Sequence, residues 1–202
     1  AKAQQNPADA RDFERYYCNR RVASVTRAIP DRIWILGAKK LPSLAGRMCH
    51  LAVDLGFRDD LSAVGGVWPP LSPDGLWYVK AKAFCPEKTP RDLTEEPIRS
   101  MVKAGLIVVT RGNTTDMAAL HATVDEWRGL YNVKSMAIDP NNAAQFGAEL
   151  VGKGIDVADF KQTTAIYNEP MREFLRLLGD GKIIHGDCPL LNWCQQNLQA
   201  FT

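Results

Sequence analysis

The chain has 202 residues, of which 46% are hydrophobic and 24% charged. It is long enough for one full domain with a sizeable core, and too apolar to be disordered. A formal net charge of +2 excludes a global electrostatic pull on nucleic acid, so any DNA contact has to come from local basic patches. No run approaches the ~20 apolar residues of a membrane span, and no signal peptide opens the sequence. The five cysteines, Cys18, Cys49, Cys85, Cys188 and Cys194, show no C-x-x-C pair and no histidine at zinc spacing. That pattern argues against structural zinc and against a disulfide framework, and fits reduced thiols in a cytosol-like compartment.

Residues 1–47 are polar and basic. Pro7 can open a helix with Phe13, Tyr16 and Tyr17 on one face, and KKLPSLAGR reads as a linker. The stretch reads as a linker or appendage, and residues 48–202 as the domain proper. There, Leu51–Asp54, Leu61–Trp68 and Leu76–Phe84 read as strands joined by short Gly- or Pro-bearing turns, hence an antiparallel meander. A helix is predicted over Leu93–Lys103 and a short strand over Leu106–Val109. Asp116 is a good N-cap for a helix with Leu120, Val124, Trp127 and Tyr131 on one stripe.

The strand VKSMAIDP follows and ends on Asp139. Asn141 or Asn142 can cap the next helix, which carries Phe146 and Leu150 and is closed by Gly152 and Gly154. IDVADF is a further strand. Pro170 is placed in the first turn of a helix with Met171, Phe174, Leu175 and Leu178 inward. KIIH is a short extended piece. Pro189 opens a last helix with Leu190, Leu191, Cys194 and Leu198 on its apolar side. The order predicts an α/β fold: a mixed central sheet, the antiparallel meander plus parallel strands, flanked by helices.

Asp54 and Asp139 each follow a hydrophobic strand run directly. If the two strands are parallel neighbours, both carboxylates emerge at the carboxyl edge of the sheet, where open α/β sheets bind ligands. Two carboxylates at close range repel unless a cation lies between them, and oxygen-only ligands suit Mg²⁺ or Mn²⁺ better than zinc. Taken singly, either aspartate reads as an ordinary strand end. Asp60 reads as support for the 55–60 loop through backbone N–H bonds, or as backing for the same metal. Asp59 reads as solvated.

No P-loop, H-E-x-x-H or G-x-S-x-G motif is present, and GDGK ends a helix instead of opening one. His121 reads as a surface residue. His185, after two isoleucines, reads as facing either the core or the cleft. Lys161, Arg172, Arg176 and Lys182 form either a solvated basic face or a phosphate track beside the metal edge. Gln162-Thr163-Thr164 reads as a substrate-facing loop.

Several of these stretches, in this order, resemble the nuclease domain of tailed-phage terminase large subunits: VDLGFRDDLSAV, TRGNTTD, AIDPNNAAQF and FKQTTAIYNEPMREFLRLLGDGKIIHGDCPLLNWC. FERYYCNRRV and Trp34 resemble the segment that links the packaging ATPase to the nuclease. The resemblance implies an RNase H-like fold and a metal-dependent endonuclease that cuts concatemeric double-stranded DNA by two-metal hydrolysis. Asp54 and Asp139 match two catalytic, metal-binding acids, with two Mg²⁺ or Mn²⁺ ions expected in the complete domain. The third acid is expected after Thr202, and the ATPase domain upstream of these residues. The same likeness implies a portal protein and a small terminase subunit as partners, host cytoplasm as the place of action, and no membrane.

Two other readings remain. An actin-like ATPase or sugar-kinase half also begins with Asp-Leu-Gly after a first strand, but needs a phosphate-binding turn that GFRDD does not supply. A non-catalytic module docking DNA or the portal would bind without metal and ignore both aspartates.

Overall fold

The computed structural model of the chain describes residues 28–56, 61–89 and 93–198. The helix predicted around Phe13, the FERYYCNRRV segment, Asp59 and Asp60 lie outside these residues.

Seven strands form one sheet: β1 (Met48–Asp54), β2 (Ser62–Trp68), β3 (Trp77–Pro86), β4 (Ile107–Thr110), β5 (Asn132–Ile138), β6 (Val157–Asp159) and β7 (Ile183–Ile184). Among the described residues, five helices of six residues or more flank it, α1 (Ile98–Lys103), α2 (Met117–Leu130), α3 (Pro140–Gly152), α4 (Thr164–Gly179) and α5 (Pro189–Asn197), and a short helix at Asp31–Trp34 runs into a 3-10 turn at Ile35–Gly37. The strand order is β4-β3-β2-β1-β5-β6, with β7 beside β3. The pairs β1–β2 and β2–β3 are antiparallel, whereas β1–β5, β5–β6, β3–β4 and β3–β7 are parallel. The expected mixed sheet is therefore present. None of the helices among the described residues is long and apolar enough to cross a membrane.

Alternation decides which side of the sheet is which. In β1, Cys49, Leu51 and Val53 are buried, and His50, Ala52 and Asp54 turn the other way. In β2, Ser62, Val64, Gly66 and Trp68 are buried. The buried side is closed by α2 and α3, whose Leu120, Val124, Trp127, Phe146 and Leu150 pack on Leu51, Val53, Val64 and Trp68. Asp116 caps α2 as expected, accepting from the Ala118 N–H at 2.9 Å.

The second side is covered only in part. Over β3 and β4 it is closed by α1 and α5, through Met101, Ile98 and Leu190 against Ala83 and Cys85. Over the start of β3 it is closed by the last turns of α4, through Leu177 and Leu178, together with Ile29, Ile33 and Trp34. Residues 28–47 are thus tied to the body. Ile29 is buried in this cluster, Leu44 is buried against β1, and the Gly37 carbonyl accepts from the His185 N–H at 2.9 Å.

Three local expectations change. First, α4 begins at Thr164, six positions (170 − 164) before Pro170, which sits inside the helix. Its first turns bury nothing: every residue from 164 to 173 is exposed, so no apolar stripe marks them. Met171 lies on this exposed half. Second, α3 starts at Pro140 directly after Asp139 and not at an asparagine, in keeping with the preference of proline for the first helical position. Third, α5 buries Leu190 and Gln195, while Cys194 and Leu198 are exposed. The Gln195 amide is drawn inward because it donates to the Ile29 carbonyl at 2.7 Å and to Asp31 at 3.0 Å.

Candidate active site

The ends of β1 and β5 build the site. Val53 pairs in register with Ile138, and both are buried on the helix-covered side. The next residues, Asp54 and Asp139, therefore leave adjacent parallel strands side by side on the opposite, partly open face. Both line one shallow cavity of about 250 Å³, together with Ala52, Ala63, Gly65, Ala137, Phe160, Gln162 and Tyr167. The floor is made of small residues. A Cβ built on Gly65 meets nothing within 4 Å, so the cavity is open to a bulky ligand above the sheet.

The far wall comes from the segment after β6. The Phe160 N–H donates to the Ile138 carbonyl at 2.7 Å and continues the sheet alternation, which puts its ring on the side of Asp139. The Gln162 amide donates to Asp54 Oδ1 at 2.9 Å. Tyr167, on the second turn of α4, stacks edge-on against Phe160 with centroids 5.1 Å apart and planes at 83°. Burial raises the Tyr167 phenol above its usual range, and the charges of Asp54 and Asp139 push the same way.

The donors at this spot are oxygens from two carboxylates with an amide beside them. No group of three or more His, Cys, Asp or Glu side chains gathers around one point among the described residues. Two carboxylates, with the remaining positions left to water and to substrate phosphates, is the usual protein share of a Mg²⁺ site. The residues present therefore fit one hard divalent cation.

Residues 1–201 match the family model for the endonuclease domain of the terminase large subunit. The chain belongs to that family. It is 28% identical over 201 residues to the terminase large subunit of Enterobacteria phage HK97, covering 97% of this chain and 39% of that protein. The crystal structure of the HK97 large terminase superposes with a TM-score of 0.74 at 27% identity, over 97% of this chain and 41% of that one. Protein YmfN of Escherichia coli (strain K12) is 22% identical over 172 residues, covering 80% of this chain and 38% of that protein. The chain thus spans about two fifths of the relatives it matches. Its fold is RNase H-like.

The other residues singled out in this terminase nuclease domain are dispersed. Lys161 is exposed and directly precedes Gln162, which lines the cavity. Arg172 is exposed further along α4. Arg176 is engaged with Glu173 at 2.7 Å and with Asp180 at 2.7 Å, so its charge is committed within its own helix. The Lys182 carbonyl accepts from the Trp77 N–H at 2.8 Å, at the start of β3. The acid pair lies level with Ala83, six residues along that strand and roughly 20 Å away. The four basic residues do not form one track, because α4 runs from the site to the far end of the sheet and carries the last two away.

His185 is fully buried. It stacks on Trp34 with centroids 4.0 Å apart and its Nε2 bonds to the Trp34 carbonyl at 2.9 Å, so it does not face the cleft. His121 is mostly covered, not superficial. It stacks on Phe146 at 4.2 Å and pairs with Glu149 at 2.8 Å. Phe160 and Tyr167 escaped sequence reasoning. The signal for Phe160 was its position one residue beyond the strand that ends at Asp159; Tyr167 gave none.

Proposed function

We propose that this domain is a divalent-metal-dependent endonuclease acting on double-stranded DNA, with Asp54 and Asp139 as its catalytic metal-binding acids. The observation that carries the proposal is the pair of carboxylates at the ends of adjacent parallel strands, opening into one cavity. Mg²⁺ or Mn²⁺ held there would offset the charge of the attacked phosphate and lower the pKa of a bound water. A second ion would need a further oxygen donor beyond these two acids.

The chain's own groups do the remaining work. Asp54, on the central β1, is flanked by both neighbouring strands and held by Gln162 through one oxygen, leaving the other for the ion. Asp139 is fixed where β5 turns into α3. The small side chains of Ala52, Ala63, Gly65 and Ala137 let a phosphodiester backbone approach the sheet. Lys161, exposed beside Gln162, and Arg172 on the exposed half of α4 would contact phosphates without reading bases. In the whole protein, the substrate is the concatemer cut during packaging. Contacts with a portal protein and a small subunit, and action in the host cytoplasm, belong to the same proposal.

Asp54→Asn or Asp139→Asn should abolish Mn²⁺-dependent nicking of plasmid DNA while circular dichroism and Tm stay those of a folded domain. Full cleavage by folded Asp54→Asn protein would refute the assignment.

A further inference from the structure

Phe160 and Tyr167 form an aromatic pair that serves no core. Neither belongs to any of the three buried clusters, and α4 is exposed at every position around Tyr167. Large aromatic side chains are normally spent on packing. Here they stand at the wall of the acid-lined cavity, with the Phe160 ring edge fixing the orientation of the tyrosine. The Tyr167 hydroxyl bonds to no side chain among the described residues.

We propose that Tyr167 is a substrate-contact residue: its hydroxyl donates a hydrogen bond to a non-bridging oxygen of the phosphodiester seated against Asp54 and Asp139. The proposal rests on the nuclease reading above and adds a residue to it. Geometry supports it in three ways. The phenol and the two acids share a small cavity but come from different elements, so a ligand between them touches both sides. Gly65 leaves the space between floor and wall clear. The helix half that carries Tyr167 is exposed at every position from 164 to 173, so no core packing accounts for the ring. A phenol is a hydrogen-bond donor in its neutral form. An acceptor that is a phosphate anion makes this bond a charge-assisted one.

The test compares wild type, Tyr167→Phe and Tyr167→Leu for affinity to a short DNA duplex in Ca²⁺, and for nicking in Mn²⁺. Tyr167→Phe keeps the ring on Phe160 and removes only the donor. It should weaken duplex affinity roughly tenfold, as expected for one hydrogen bond to a charged group. Tm and the slope of log affinity against log salt should be unchanged, because a neutral donor releases no counterion. Tyr167→Leu should lose little more than Tyr167→Phe. Wild-type binding no tighter than that of Tyr167→Phe, including none measurable in either, overturns the proposal. So does a loss confined to Tyr167→Leu, which would make the ring a packing wall. The nuclease reading fails on a separate result, nicking by Asp54→Asn, which does not depend on Tyr167.

Discussion

Gln162 and Asp54 are 108 positions apart in the sequence, yet the Gln162 amide donates to Asp54 Oδ1 at 2.9 Å. The bond links the loop before α4 to the end of the central strand and fixes one carboxylate oxygen of the candidate metal ligand. Partners that orient a ligand typically cost ten- to a hundredfold in metal affinity when removed. Gln162→Ala should therefore weaken Mn²⁺ binding about tenfold by calorimetry without a change in Tm, since Gln162 is exposed and packs in no core.

Gly65 and Gly66 are neighbours on β2 that point to opposite faces. A Cβ on Gly65 meets nothing within 4 Å, whereas one on Gly66 comes to 2.9 Å of Trp68 and 3.0 Å of Trp127. Gly65→Val should leave the fold intact, within about 1 kcal/mol, because a β-branched residue suits a strand. It should still block DNA cleavage by filling the cavity floor. Gly66→Ala should do the reverse, costing about 1–3 kcal/mol by overpacking the tryptophans while a folded fraction still cleaves. Denaturant melts paired with plasmid nicking separate the two.

Because the Tyr167 phenol is raised by burial and then by Asp54 and Asp139, removing one charge has a definite sign. Asp54→Asn should lower the Tyr167 pKa toward the usual phenol range. Spectrophotometric titration of Asp54→Asn, compared with Asp54→Asn/Tyr167→Phe, reads it directly. In the wild type, the raised phenol contributes stability that is present below the unfolded-state pKa and lost as pH rises through the folded one.

His185 offers a control. It is fully buried, stacked on Trp34 and bonded to the Trp34 carbonyl, at a place remote from the acids. His185→Ala should cost about 2–4 kcal/mol in urea unfolding through the cavity and the unpaired carbonyl. The remaining folded protein should nick plasmid at the wild-type rate.

Much of the fold was legible because its strands alternate or run apolar between Gly- and Pro-bearing turns, and because Asp116 and Pro189 mark helix starts. The same logic placed Asp54 and Asp139 at strand ends, and their adjacency then depended only on β1 and β5 being parallel neighbours. What stayed hidden has a common cause. The first half of α4 buries no side chain in a core, so periodicity could not reveal it, and Pro170 looked like a start instead of an interior residue. With the helix start misplaced, Tyr167 fell in a presumed loop. Arg176 and Lys182 looked like neighbours of Lys161 because sequence proximity conceals the length of a helix that spans the sheet. His185 could be assigned only once Trp34, 151 positions earlier, was seen stacked on it.

The shared ion is the point on which the rest turns. Anomalous diffraction from crystals soaked in Mn²⁺ should show a manganese peak bonded to carboxylate oxygens of both Asp54 and Asp139, and the peak should vanish in Asp54→Asn. A peak elsewhere, or none at millimolar Mn²⁺ with both aspartates intact, would contradict a metal-dependent nuclease centred on this pair.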